Sequence, residues 1–321
     1  MGRLGILASA LVAFLALAAL GHLLPNWFIL LATMALAKGL VALGLVVLMR
    51  GGLVSFGQGL FYCAGAYAAG LAMRFAGASD ALLLTALGGL AALVLALVIA
   101  PLLAGYRGIF FATLTLALSM IAYGVLNKTY SLGGSDGINL RAPSFLGYQA
   151  ATPYALFVFT VLVTSLAAAL CRIHFDSMRG LLSLAARDNE IRVEYLGASV
   201  RGVTAVNFAM AAGLGGVGGA LAALALGHID PDFAFWTTSG EFVFLAILAG
   251  HASVVAVFIA SILLELVRSF SSQYFPNTWQ MALGIFLLLV ILFLPEGLGS
   301  LLRRRRRARA ESLPVPAESV E

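Results

Sequence analysis

"EFVFLAILAGHASVVAVFIASILLELVRSF", residues 241–270, is a largely apolar run interrupted once, at "LAGHAS" (248–253), by Gly250 and His251. A single helix of that length would run about 45 Å, against roughly 30 Å for the hydrocarbon core of a bilayer. The basic residues on either side bear on how it folds. Arg303–Arg307 with Arg309 form one cluster, and the 172–201 stretch carries Arg172, Arg179, Arg187, Arg192 and Arg201. Both read as cytoplasmic, because short loops rich in Lys and Arg stay on that side. Three apolar segments separate them, at 203–226, 241–270 and 278–294. Three single crossings would leave the two clusters on opposite sides. A broken, re-entrant hairpin at 241–270 restores the parity, and irregular backbone at depth is tolerated where protein shields it or it lines a cavity. One tilted span is the alternative.

Working outward, the chain of 321 residues is 62% hydrophobic and only 10% charged, where soluble proteins carry about 25% charged residues. The expected fold class is therefore all-α, a polytopic transmembrane helical bundle. Further segments lie near 4–24, 27–49, 53–73, 81–104, 108–126 and 151–171. The first is too long for a cleaved signal, whose apolar region runs about 7–15 residues. Residues 1–302 are read as one membrane domain, with a cytoplasmic loop at about 172–202. Residues 303–321 are read as a basic, then polar, disordered tail. Both termini are expected in the cytoplasm. Cys63 and Cys171 lie in or beside apolar segments and offer neither a disulfide framework nor a zinc site. No metal, cofactor or nucleic-acid site is expected.

Two segments are rich in small residues. "GLVSFGQGLFYCAGAYAAG" (52–70) aligns Gly57, Phe61, Gly65 and Ala69, and "AAGLGGVGGALAAL" (211–224) aligns Gly215, Gly219 and Ala223. Spacing of four lets backbones approach closely in lipid. Lys38 falls in the middle of its span, where a charge costs about 2.5–3.5 kcal/mol on insertion scales. A place on a transport path, an interhelix ion pair and an offset span are all open to it. Ser55 and Gln58 suit helix–helix hydrogen bonding or substrate contact. Thr113, Thr115, Ser119 and Tyr123 line a path or satisfy backbone carbonyls. The candidate path is thus Lys38, Ser55, Gln58, Thr115, Ser119 and Gly250. Glu265 and Arg268, three apart, read as a local pair. The 127–150 loop, rich in glycine, suits tight turns or contact with a soluble partner.

The densest charge lies in "LAARDNEIRVEYLG" (184–197). As one helix, 184–196 pairs Asp188 with Arg192 and opposes Glu190 to Glu194. Leu184, Ile191 and Tyr195 fall on one face, and Gly197 marks the stop. A solvated loop, a surface-lying helix and a docking element for a cytoplasmic partner all fit.

"AARDNEIRVEYLGASVRGVTAVNFAMAAGLGGVGGAL" (185–221) resembles the signature of the membrane permeases of branched-chain amino acid ABC importers, the LivM type. "SFGQGLFYCAGAYAAG", "GIFFATLTLAL" (108–118), "LGGSDGI" (132–138) and "LPEGLGSLL" (294–302) are similar to family stretches in the same order. The chain departs from the family at Val46 and Met49, where an Asn and a Gly are usual. It departs again in "AGHAS", where Ala249 and Ala252 replace glycines. The resemblance implies ATPase coupling through Arg187, Asp188, Asn189, Glu190, Leu196 and Gly197, with Phe208 also matching. It implies separate ATP-binding subunits, a sister permease in a heterodimer, a periplasmic binding protein and an amino-acid substrate in the bacterial inner membrane. The chain itself has no phosphate-binding loop: "GVLNKT" (124–129) has Asn127 where Gly is required. It is therefore read as a transport subunit and not an enzyme. An ion-coupled carrier, or an ABC permease for urea or short amides, is the alternative. The carrier would place acids deep within spans, whereas the acids here are read as lying mostly in loops or at segment ends. A membrane enzyme would need a His/Asp/Glu cluster, and none is evident.

Overall fold

A computed structural model describes residues 3–103, 105–145, 148–149, 153–250, 253–293 and 297–300. Its helices are α1 (Arg3–Gly21), α2 (Asn26–Arg50), α3 (Gln58–Phe75), α4 (Ala81–Leu103), α5 (Gly108–Lys128), α6 (Pro153–Phe175), α7 (Met178–Asp188), α8 (Glu190–Tyr195), α9 (Val200–Leu226), α10 (Trp236–Ala249), α11 (Val254–Tyr274) and α12 (Trp279–Phe293). Seven of these, α1, α2, α4, α5, α6, α9 and α11, are long and apolar enough to cross a membrane. Helices predominate because a chain in lipid must satisfy its own backbone, and a helix does so within one segment.

Buried α2 and α9 form the centre. Gly44 lies so close to α9 that a Cβ there would stand 2.7 Å from the Ala211 carbonyl oxygen. A Cβ on Gly65 of α3 would overlap the Gly216 carbonyl of α9, and Gly88 of α4 meets the same turn. The small-residue stripes are thus contact lines, where missing side chains let backbones meet. Phe208 locks the layer beneath, edge-to-face with Phe61 (5.4 Å) and Phe111 (6.2 Å).

Two expectations change. The 53–73 segment does not start as helix: Leu53–Gly57 is irregular, and α3 begins at Gln58. The 241–270 segment is indeed broken, with α10 ending at Gly250 in a positive-φ conformation (φ +71°). His251 and Ala252 lie outside the described residues. The arms pack antiparallel, since Glu241 near the start of α10 bonds Arg268 near the end of α11. They are unequal rather than two half-helices. α11 has 21 residues and is long enough to cross, whereas α10 has 14. The shorter arm starts inside the bundle, because the Pro231–Ala234 turn dips in and its Ala234 carbonyl accepts from Ser119 Oγ at 2.7 Å. Gly297, just after α12, abuts Gly250, so α10 and α12 end together.

At the end opposite α7 and α8, the loop after α5 closes on the loop after α9. Ile138–Asn139 pairs antiparallel with His228–Ile229, and His228 Nδ1 lies 2.8 Å from Asn139 Oδ1. Gly137 (φ +69°) is required there, because a Cβ would collide with the Ile229 carbonyl.

Candidate functional site

The charged segment is two helices and not one. Asn189 is extended (φ −161°) and its Oδ1 accepts from the Arg192 amide at 2.9 Å, ending α7 and capping α8. Asp188 and Arg192 therefore lie in different helices, and the neighbouring Glu190 bonds to a distant helix start. Arg107 Nε, just before α5, donates to Glu190 Oε1 at 2.8 Å, and its Nη2 reaches Thr204 Oγ1 on α9 at 3.4 Å. Gly197 (φ +82°) closes α8, its amide donating to the Glu194 carbonyl at 2.9 Å. Ala186, Val193 and Val200 form a small core beneath. Ile191 and Tyr195 of the apolar face, with Leu196 after them, point outward: they are 66%, 88% and 78% exposed. Arg187, Asp188 and Asn189 are exposed beside them.

The base of this platform is tied to the bundle by a residue that sequence reasoning missed. Asn207 on α9, almost fully buried, donates from Nδ2 to Ser183 Oγ on α7 (2.7 Å), while its Oδ1 lies 3.0 Å from His174 Nε2 on α6. The turn after α2 is pressed against α7, with Gly51 facing Ser183 and Gly52 facing Arg187. That turn leads directly into the irregular 53–57 stretch.

Of the candidate path residues, Ser55, Gln58, Thr115 and Ser119 come together around that stretch, all buried. Ser55 Oγ accepts from the Gly57 amide, Thr115 Oγ1 from the Phe56 amide (3.2 Å), and Ser239 Oγ from the Gly59 amide (3.0 Å). These hydroxyls satisfy backbone that no helix serves. Both polar atoms of the Gln58 side chain are buried without a hydrogen-bond partner. Gly250 is apart from them, at the α10–α11 break.

Lys38 lies elsewhere, in an ion-pair chain across three helices. Its Nζ meets Glu265 Oε2 of α11 at 2.8 Å and Glu241 Oε2 of α10 at 3.9 Å, and Arg268 Nη1 meets Glu241 Oε2 at 3.0 Å. The local Glu265–Arg268 pair read from the sequence is replaced by these partners, because α2 and α10 bring opposite charges closer. Glu265 is an acid placed mid-helix, in α11. The four charges line a cavity of about 950 Å³ at the end opposite α7 and α8. Leu30, Leu31, Met34 and Phe233 form its apolar wall, and Asp230 and Asp232 also line it. Desolvation, then the neighbouring Asp232, raise the Asp230 carboxyl above its ordinary value. No three His, Cys, Asp or Glu side chains among the described residues are grouped to hold a metal ion.

Residues 27–294 match the family described as the branched-chain amino acid transport system permease component. The chain is 28% identical over 295 residues to the high-affinity branched-chain amino acid transport system permease protein LivM of Escherichia coli, across 84% of this chain and 69% of that one. It is 27% identical, with the same coverage, to LivM of Salmonella typhimurium. No solved structure matches.

Proposed function

The chain belongs to the branched-chain amino acid transport system permease family, and from that premise we propose that it is the membrane subunit of an ABC importer for aliphatic amino acids. It sits in a bacterial inner membrane with α7, α8 and both termini in the cytoplasm. Its partners are ATP-binding subunits, a sister permease and a periplasmic binding protein. Residues 1–302 form the transport domain and 303–321 a cytoplasmic tail.

The observation that carries this reading is the contrast within α8. Ile191, Tyr195 and Leu196 are left uncovered, while Glu190 and Val193 on the same short helix are fastened to the bundle. A helix of six residues has little stability of its own, so its place is set by what it packs on. An apolar knob beside Arg187, Asp188 and Asn189 fits a cleft in an ATPase subunit, with buried apolar anchors and a polar rim. Force on α8 then travels three ways. It reaches α5 directly through Arg107 and, by way of the adjoining α7, reaches α9 through Asn207 and α3 through the Gly51–Gly52 turn and the 53–57 stretch. A stretch held by single hydroxyl bonds is where a rigid-body switch can bend at low cost.

The test is uptake of labelled leucine into liposomes holding this chain with its ATPase subunits, sister permease and binding protein. Leu196→Ser with Ile191→Ser is expected to leave the chain folded, weaken ATPase capture and cut uptake at least about tenfold, as for loss of interface anchors. Unchanged capture and uptake would refute the docking role. A second reading, an ion-coupled carrier, is favoured by Glu241 and Glu265 in the cavity. Under the ABC reading, uptake persists when ion gradients are collapsed and stops when ATP is withdrawn.

A further inference from the structure

We propose that the ion-pair chain in the cavity is an insertion site for a zwitterion, the α-ammonium and α-carboxylate of an amino acid taking places between Glu241 and Lys38. This rests on the reading that the cargo is an amino acid, and names where the permease itself would hold it.

The order of charge along the chain is Arg268, Glu241, Lys38, Glu265, alternating in sign. Two of its links are short, Arg268–Glu241 at 3.0 Å and Lys38–Glu265 at 2.8 Å. The middle link, Glu241–Lys38, is 3.9 Å, too long for a hydrogen bond. The cluster is thus two tight pairs with a loose joint, and the joint lies on the cavity wall. A zwitterion entering there sets its ammonium on Glu241 and its carboxylate on Lys38. The alternation is preserved and the net charge of the four-residue chain stays at zero, beside Asp230 and Asp232 elsewhere on the cavity wall. A lone cation would leave Lys38 facing a positive group, and a lone anion would do the same to Glu241. Each costs far more in a partly desolvated site than in water. A neutral amide offers each charge a hydrogen bond but no opposite charge.

Exchange is also energetically open. A pair already half removed from water gains little net free energy from its Coulomb attraction, so replacing the long link by two charge-assisted hydrogen bonds meets a small barrier. Lys38 lies about 18 Å along α2 from Asn26, so the joint sits deep within the bundle. The aliphatic side chain has Leu30, Leu31, Met34 and Phe233 to pack on. The volume of about 950 Å³ is at the upper end of that for small-molecule sites. The cavity wall joins that apolar patch to convergent charged groups, which would fix a ligand's orientation.

The experiment is titration calorimetry on the permease–ATPase complex in nanodiscs, without binding protein. Three probes are used: leucine, leucinamide (no carboxylate) and 4-methylpentanoate (no ammonium). The intact complex is expected to hold leucine at least about tenfold more tightly than either analogue, the scale of one charged hydrogen bond. Glu241→Gln should weaken leucine at least about tenfold without weakening 4-methylpentanoate, because it removes the charge that opposes that probe's carboxylate. Lys38→Met should weaken leucine without weakening leucinamide, because it removes the charge that opposes that probe's ammonium. General damage to the cavity would weaken all three probes alike, and that result overturns the proposal. So does equal affinity of the intact complex for the three, or no binding of leucine. The intact-complex series decides even where a variant fails to fold. Failure here leaves leucine uptake with the binding protein unaffected, whereas failure of the functional reading abolishes that uptake.

Discussion

Gly44→Ala tests whether backbone contact between α2 and α9 holds this bundle together. The added Cβ would lie 2.7 Å from the Ala211 carbonyl oxygen and 2.9 Å from its Cα. Both are backbone atoms of a buried helix, so no side chain can swing away. Ordinary contact begins near 3.4 Å, a shortfall of 0.5–0.7 Å that the helices must supply by parting. Opening a packed contact by about 0.5–1 Å forfeits a quarter to a half of its dispersion energy. In lipid, where no hydrophobic drive holds helices together, dispersion is a main source of adhesion. Overpacking of this kind costs about 1–3 kcal/mol. Alanine also favours helix over glycine by up to about 1 kcal/mol, which partly masks the loss. Gly213→Ala removes that ambiguity. Gly213 is likewise inside a helix, and a Cβ there meets nothing within 4 Å. The propensity gain cancels in the comparison. Gly44→Ala should therefore unfold more readily than Gly213→Ala by about 1–3 kcal/mol, in sodium dodecyl sulfate titrations from mixed micelles. Equal stabilities within about 0.5 kcal/mol would show that the two helices are not in backbone contact.

Other outcomes follow from the same geometry. Asn207→Leu removes the group that bridges Ser183 and His174, and should cost about 1–3 kcal/mol by the same titration. Arg107→Ala and Glu190→Gln, made singly and together, should show a coupling of no more than about 1 kcal/mol, because both side chains are partly exposed. Their effect on ATP-driven uptake should be far larger than that on stability, and equal effects would deny the contact a coupling role. Gly197→Ala forces a left-handed residue to carry a Cβ and should destabilise the α8 terminus by about 1–2 kcal/mol, seen as faster amide exchange across 192–198. Asn189→Ala removes the α8 cap at about 0.5–2 kcal/mol and should raise exchange at the Arg192 amide first.

The amino-acid sequence by itself determined the lipid-facing character of the chain, the broken hairpin at Gly250, the stop at Gly197 and the close-packing role of the glycine stripes. Each of these is local. An apolar run of a given length must close its own backbone bonds, and a glycine at a turn answers to its own φ. Tertiary structure alone decided the partners of the charges. Glu265 lies one helical turn from Arg268 yet pairs with Lys38, 227 positions away, and Glu190 leaves its own helix for Arg107. The bend at Asn189, the inward role of Asn207 and the outward face of Ile191, Tyr195 and Leu196 belong to the same class. In a medium of low dielectric a charge goes to whichever opposite charge the packing brings nearest, and spacing along the chain carries no record of that distance.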